Sequence, residues 1–163
     1  MGARTGGRAV ALQVLYGLDA AGFLEGDRRR TVDVEQALAG YFRAFEDPDA
    51  QAEEIDPDAR AFAQSLLSEL AAKLDAMDEA IKKSSTNWRL ERMPRVDRNV
   101  LRLGALELIA RHDTPRPVAI DEYVELAKRY GGDESAKFVN GILERVADEA
   151  GRPREDRKSR RPR

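Results

Sequence analysis

Apolar residues recur along this chain at intervals of three and four, and no segment alternates convincingly with the period of two that a strand needs. From about Arg8 to Leu24 the stretch RAVALQVLYGLDAAGFL places Val10, Val14, Leu18 and Ala21 on one face with Leu15 beside them, which predicts an amphipathic helix. A loop holding Arg28, Arg29 and Arg30 follows. Asp33 with Gln36 three residues later reads as a capping-box variant, and Val34, Leu38, Tyr41, Phe42 and Phe45 continue at helical spacing. Asp56 before Pro57 is a second start signal, a capping side chain ahead of a residue suited to the first helical position. Phe62, Leu66, Leu67, Leu70, Leu74, Met77 and Ile81 then carry a long stripe as far as the polar KKSSTN, where the sequence places a subdomain boundary.

The second half repeats the pattern in shorter pieces. A brief helical segment, WRLERM, runs into Pro94. VDRNVLRLGALELIARH then carries apolar residues on nearly every side, the mark of a mostly buried helix. The prolines of DTPRP end it. VAIDEYVELAKRYGG closes on Gly131 and Gly132, which suit a helix C-cap, and a last helix spans about Ser135 to Ala150. Within it, KFVNGILERV sets Asn140 before Gly141, a hairpin-turn signal. Phe138, Val139, Ile142, Leu143 and Val146 nevertheless form one helical stripe, so the pair is read as helical. Each of the two costs roughly 0.5–1 kcal/mol of helix propensity relative to alanine. Gly141 is expected to let a neighbouring helix approach, and Asn140 to tie the helix to a neighbour or reach a ligand. The pattern predicts an all-α protein of about seven helices in two packed bundles, with an N-terminal subdomain over 1–83, a C-terminal one over 84–150 and a tail over 151–163.

Composition narrows the chemistry. The chain has 163 residues, 42% hydrophobic, 6% aromatic and 36% charged, which favours helices with solvated faces over a β-sandwich. There is no cysteine, so disulfides, thiol catalysis and Cys-based zinc sites are excluded. The single histidine, His112, beside a proline loop, is read as a surface or capping residue and not a base. ARTGGRAV lacks both the spacing of a phosphate loop and a preceding strand. No carboxylate pair stands out as an acid and a base. No catalytic residue, metal ligand or cofactor site is expected, and no run approaches the ~18 apolar residues of a membrane span. The chain reads as a cytoplasmic binding protein. Net charge is −2, divided between +5 on the tail GRPREDRKSRRPR and −7 on the remainder. The tail offers no apolar residue to bury and is read as disordered, serving either non-specific phosphate affinity or solubility. Trp88, the only tryptophan, is read as packing between subdomains.

VDRNVLRLGALEL, and after the proline break PVAIDEYVELAKRYGGDESAKFVNGILERV, resemble the C-terminal half of the NusB family of bacterial transcription antitermination factors. RAVALQVLYGLD resembles the family's first helix. The resemblance covers nearly the whole folded chain and is densest from Val96 to Val146; the Arg28 loop and FEDPDAQAEEID match only in general character, and the tail does not match. It implies two helical bundles without catalytic activity. Such proteins bind the boxA element of nascent RNA together with NusE, a small-subunit ribosomal protein, and join RNA polymerase and other Nus factors in an antitermination complex, chiefly on ribosomal RNA operons. Some relatives form homodimers, and a helical adaptor or homodimer with little RNA affinity is the competing expectation. A similar module precedes the catalytic domain of certain ribosomal RNA methyltransferases, but no glycine-rich cofactor-binding domain is expected here.

The resemblance also implies RNA contacts. Its basic N-terminal segment corresponds to Arg4 and Arg8, with Thr5, Gly6 and Gly7 at places basic or helix-favouring in other members. Gln13 and Tyr16 lie three apart on one helix surface, and Tyr16 is either a base-stacking platform or an edge-of-core aromatic. Asp97 matches a base-contacting carboxylate and would also suit the start of its helix. Arg102 is either a phosphate contact or half of an internal salt bridge. Glu134, Ser135, Lys137, Phe138 and Asn140 match the RNA-facing end of the last helix. NusE is expected on faces near residues 84–130.

Overall fold

A computed structural model describes residues 2–44 and 56–154. Among them are six α-helices, two short 3-10 segments and no strand: α1 (Ala3–Ala20), a 3-10 segment (Gly26–Thr31), α2 (Val34–Ala44), α3 (Pro57–Ser84), a 3-10 segment (Leu90–Arg92), α4 (Arg95–Ala110), α5 (Arg116–Gly131) and α6 (Asp133–Glu149). The fold is all-α, as the apolar spacing predicts. Phe45 lies outside the described residues, as do the tail beyond Arg154 and most of FEDPDAQAEEID.

Two of the expected helix starts are built as the sequence suggests. The Gln36 N–H donates to Asp33 Oδ1 at 3.0 Å, and the Asp58 N–H to Asp56 Oδ1 at 2.9 Å, so each carboxylate satisfies a donor that its helix leaves unpaired. The Arg28–Arg30 loop is a 3-10 turn. α1 begins at Ala3, five residues ahead of the predicted start, and Gly7 within it is closely packed: a Cβ there would stand 2.8 Å from the Ala59 carbonyl oxygen and from the Phe62 ring.

The chain packs as two compact units that divide at Lys73, inside α3, where φ −118° and ψ 15° interrupt the helical geometry. That point precedes the polar KKSSTN stretch. The stripe runs on through Leu74, Met77 and Ile81, all buried, so the polar residues end the helix without starting the second unit. In the first unit Val10, Val14, Leu15, Leu38, Leu66 and Leu70 are buried. In the second, α4 packs against both α5 and α6, and Val100, Leu101, Leu103, Leu106 and Leu108 are fully buried. Gly132 ends α5 at φ 93°, its N–H donating to the Lys128 carbonyl at 3.0 Å, and α6 starts at the next residue.

Gly141 does not admit a neighbouring helix. It is exposed, and nothing lies within 4 Å of a Cβ placed on it. Close approach belongs to Gly104 on α4, where a Cβ would sit 2.8 and 2.9 Å from the Leu143 methyls. Gly104→Ala is therefore expected to lower stability by about 1–3 kcal/mol through overpacking. Gly141→Ala should raise it by roughly 0.5–1 kcal/mol, since only helix propensity changes. Urea denaturation of the two variants checks both signs.

The tail also departs from its predicted disorder at its beginning. Gly151, at φ 71°, follows α6 with its N–H on the Asp148 carbonyl at 3.1 Å, while the Arg152 N–H donates to the Ala147 carbonyl at 2.9 Å. This paired closure turns the chain back on the helix. Arg152 is buried as a result. Its Nη1 donates to the carbonyls of Glu107, Leu108 and Arg111 at 3.3, 3.1 and 3.1 Å, and its Nη2 to that of Thr114 at 2.8 Å. A cation thus sits on the carbonyl end of α4, where the helix dipole favours it. The Arg152 carbonyl accepts from Arg116 Nη1 at 2.8 Å, and Arg116 Nη2 also meets Glu144 Oε2 at 2.6 Å and Asp148 Oδ1 at 3.0 Å. Hydrogen bonds and charge from Arg154 and Arg116 hold the Asp148 carboxyl below its ordinary range.

Candidate nucleic-acid interface

The first unit presents the N-terminal candidates along α1. Arg4 is exposed, with its guanidinium 5.6 Å from the Phe62 ring centroid. Arg8 stands 5.3 Å from the same ring but is only 2% exposed, so its charge is committed to packing and Arg4 is the accessible cation of the pair. Gln13 is half-buried: its Nε2 donates to the Ala9 carbonyl at 3.3 Å, and its Oε1 accepts from the Tyr41 hydroxyl at 3.0 Å. Tyr16, one turn on, is 41% exposed, which leaves ring surface for a stacking partner.

In the second unit the candidates separate into buried and exposed groups. Arg102 is an internal ion-pair partner. Its Nε and Nη2 reach Asp78 Oδ1 and Oδ2 at 2.8 and 3.2 Å, its Nη1 reaches Asn99 Oδ1 at 2.9 Å, and both charged side chains are buried. The structure thus selects the salt bridge over the phosphate contact. Asp97, in the first turn of α4, is buried. Burial pushes its carboxyl above the ordinary range, opposed by a hydrogen bond from Ser135, and its Oδ1 has no hydrogen-bond partner among the described residues. Ser135 is itself buried at the start of α6, where its hydroxyl donates to the Gly131 carbonyl at 3.3 Å.

Exposed side chains carry the surface chemistry. Lys137 Nζ lies 3.8 Å from Glu134 Oε1 with both side chains largely in solvent, a pair that restrains either charge only weakly. Phe138 is half-buried and meets Trp88 edge to face, with centroids 5.8 Å apart at 81°. Trp88 is not packed away as predicted: it is 59% exposed. The turn that follows α3 holds it there, its N–H donating to the Ser85 carbonyl at 3.0 Å and its carbonyl accepting from Ser85 Oγ at 3.3 Å. Asn140 is exposed, and its side chain makes no hydrogen bond among the described residues, so it does not tie α6 to a neighbour. Sequence reasoning missed Trp88 as a surface group, because a lone tryptophan beside a polar stretch gives no period by which to assign a face.

A buried carboxylate, Glu107, lies between α4 and α5, accepting from the Tyr123 hydroxyl and, at 3.4 Å, from Thr114 Oγ1. It is 1% exposed. Among the described residues no three histidine or carboxylate side chains group as metal ligands, and no helix is long and apolar enough to cross a membrane.

Among the described residues the elements are all helical, and α1 and α6 present exposed cations beside the exposed ring of Tyr16 and the half-buried ring of Phe138, the make-up of a helical binding protein. The sequence profile of the NusB family matches residues 5–148. The transcription antitermination protein NusB of Sorangium cellulosum is 50% identical over 157 residues, 96% of this chain and 100% of its own length. That of Myxococcus xanthus is 45% identical over 153 residues, 94% of this chain and 100% of its own. Among solved structures, T. maritima NusB superposes with a TM-score of 0.73 at 36% identity, covering 93% of this chain and 94% of that one. A chain from the crystal structure of the antitermination factors NusB and NusE in complex with double-stranded RNA matches with a TM-score of 0.70 at 26% identity, covering 91% and 98%. The chain belongs to the NusB family, a family of transcription antitermination proteins and not of enzymes.

Proposed function

We propose that this chain is a non-catalytic RNA-binding transcription antitermination factor that acts in the cytoplasm, binds the boxA element of nascent RNA together with NusE, and joins the RNA polymerase antitermination complex. The observation that carries this reading is its likeness, over nearly its whole length, to a chain crystallised among NusB, NusE and RNA. Exposed Arg4 and Tyr16 on α1, with exposed Lys137 and half-buried Phe138 on α6, supply what such a role needs: cations for phosphates and rings for bases.

Fluorescence anisotropy with a labelled boxA-like single strand, its scrambled control and the corresponding duplex tests the reading. Affinity should rise when NusE is added. Tyr16→Ala should weaken binding of the single strand by about 5- to 150-fold, the range for loss of one stacked base. If four phosphates are neutralised, the log-log salt slope should be about −2.8. Equal affinity for scrambled RNA with no gain from NusE would reject the proposal. Capture of NusE without any RNA affinity would favour the adaptor reading, which the net −7 outside the tail supports.

A further inference from the structure

The second unit carries a groove of about 240 Å³ with one wall from the 85–88 turn and the other from α6. Its lining includes Asn87 and Trp88 on the turn and Lys137, Phe138, Gly141 and Arg145 on the helix. The α6 residues recur at i, i+1, i+4 and i+8, so they form a single helical face. Gly141 lies at the centre of that face with open space over its Cα, and any larger residue would place its side chain in the groove. This gives the glycine within KFVNGILERV a use that helix packing does not.

We infer that this groove is a nucleotide subsite, in which one unpaired RNA base stacks on the Trp88 indole while Lys137 and Arg145 neutralise flanking phosphates. The inference rests on the RNA-binding reading and deepens it. Three observations select a base as occupant. A tryptophan 59% in solvent forfeits the burial that usually accounts for so large a ring; its backbone is fixed by the turn to Ser85, and its ring meets Phe138 edge to face. The volume falls below the roughly 300 Å³ at which pockets for larger organic ligands begin, and suits one planar group. Both cations of the lining are placed for phosphates: Lys137 is tied only to solvent-exposed Glu134 at 3.8 Å, and Arg145 is steadied by donating Nη1 to the Ser84 carbonyl at 3.1 Å. Asn87, at the rim, offers both a donor and an acceptor to a base edge.

Because Trp88 is the only tryptophan, its intrinsic fluorescence reports on the groove directly. Titration of the chain with an unlabelled single-stranded RNA should quench that emission along the same isotherm that anisotropy gives with labelled RNA. Trp88→Ala should weaken binding about 5- to 150-fold, Trp88→Phe less, and Lys137→Gln or Arg145→Gln should each reduce the salt slope by about 0.7. Circular dichroism should show every variant folded, Trp88 being largely in solvent. Unchanged emission and unchanged affinity of Trp88→Ala, with RNA still bound, would overturn the subsite and leave the RNA-binding reading standing. Loss of NusE capture by Trp88→Ala in the absence of RNA would overturn it in favour of a protein occupant. No binding of any RNA, with or without NusE, would overturn subsite and reading together.

Discussion

Arg102→Met is expected to destabilise the second unit by about 3–5 kcal/mol, the cost of leaving one member of a buried ion pair uncompensated. Asp78 is buried, and the bidentate guanidinium at 2.8 and 3.2 Å answers both of its oxygens. Without the arginine, buried Asp78 loses the cation that meets both of its oxygens, and Asn99 loses the donor at 2.9 Å. Replacing both charges, as Arg102→Met with Asp78→Leu, should recover much of the loss, because a well-packed apolar pair often matches a buried salt bridge. Urea denaturation of the single and double variants separates these effects. An Arg102→Met protein of wild-type stability whose RNA salt slope drops by about 0.7 would instead make Arg102 a phosphate ligand.

The second large effect is expected at the beginning of the tail. Arg152→Ala removes a charged donor from four carbonyls, three of them at the end of α4, and should cost about 2–4 kcal/mol, since hydrogen bonds involving a charged group contribute roughly 1.5–3 kcal/mol and buried acceptors left unmet add to the loss. Truncation after Gly151 should cost more. It also removes the Arg152 N–H that closes α6 and the carbonyl that receives Arg116. Truncation after Arg154 retains all of these and should leave the melting temperature close to that of the full chain. Identical melting of the chains ending at Gly151 and at Arg154 would remove Arg152 from its stabilising role.

These two arginines show where sequence reading stops. Arg102 sits on a helix whose apolar residues already point every way, which leaves both its burial and its partner open in the sequence. Asp78 lies 24 positions earlier, on α3, where it resembles any other acidic residue of a solvated face. Arg152 stands in a stretch that composition assigns to solvent. A cue was present in Gly151, placed where a helix closes on a left-handed residue and sends the next one back. The candidate interface divides in the same manner. Tyr16 and Lys137 lie at the surface, as an RNA contact requires, whereas Arg8 and Arg102 are buried and Trp88, assigned to packing, is exposed.

Spacing of apolar residues settled the helical class, the long third helix and the buried fourth one, because helix periodicity is local and every turn repeats it. Capping at Asp33 and Asp56 and the stop at Gly132 were equally local, each resting on a side chain or a dihedral within a few residues. The uses of glycine were decided only by tertiary structure: Gly7 and Gly104 receive a neighbouring segment, while Gly141 faces open space. So was the fate of each arginine, since a charge is buried or exposed according to what the rest of the chain brings to it, and those partners lie tens of residues away.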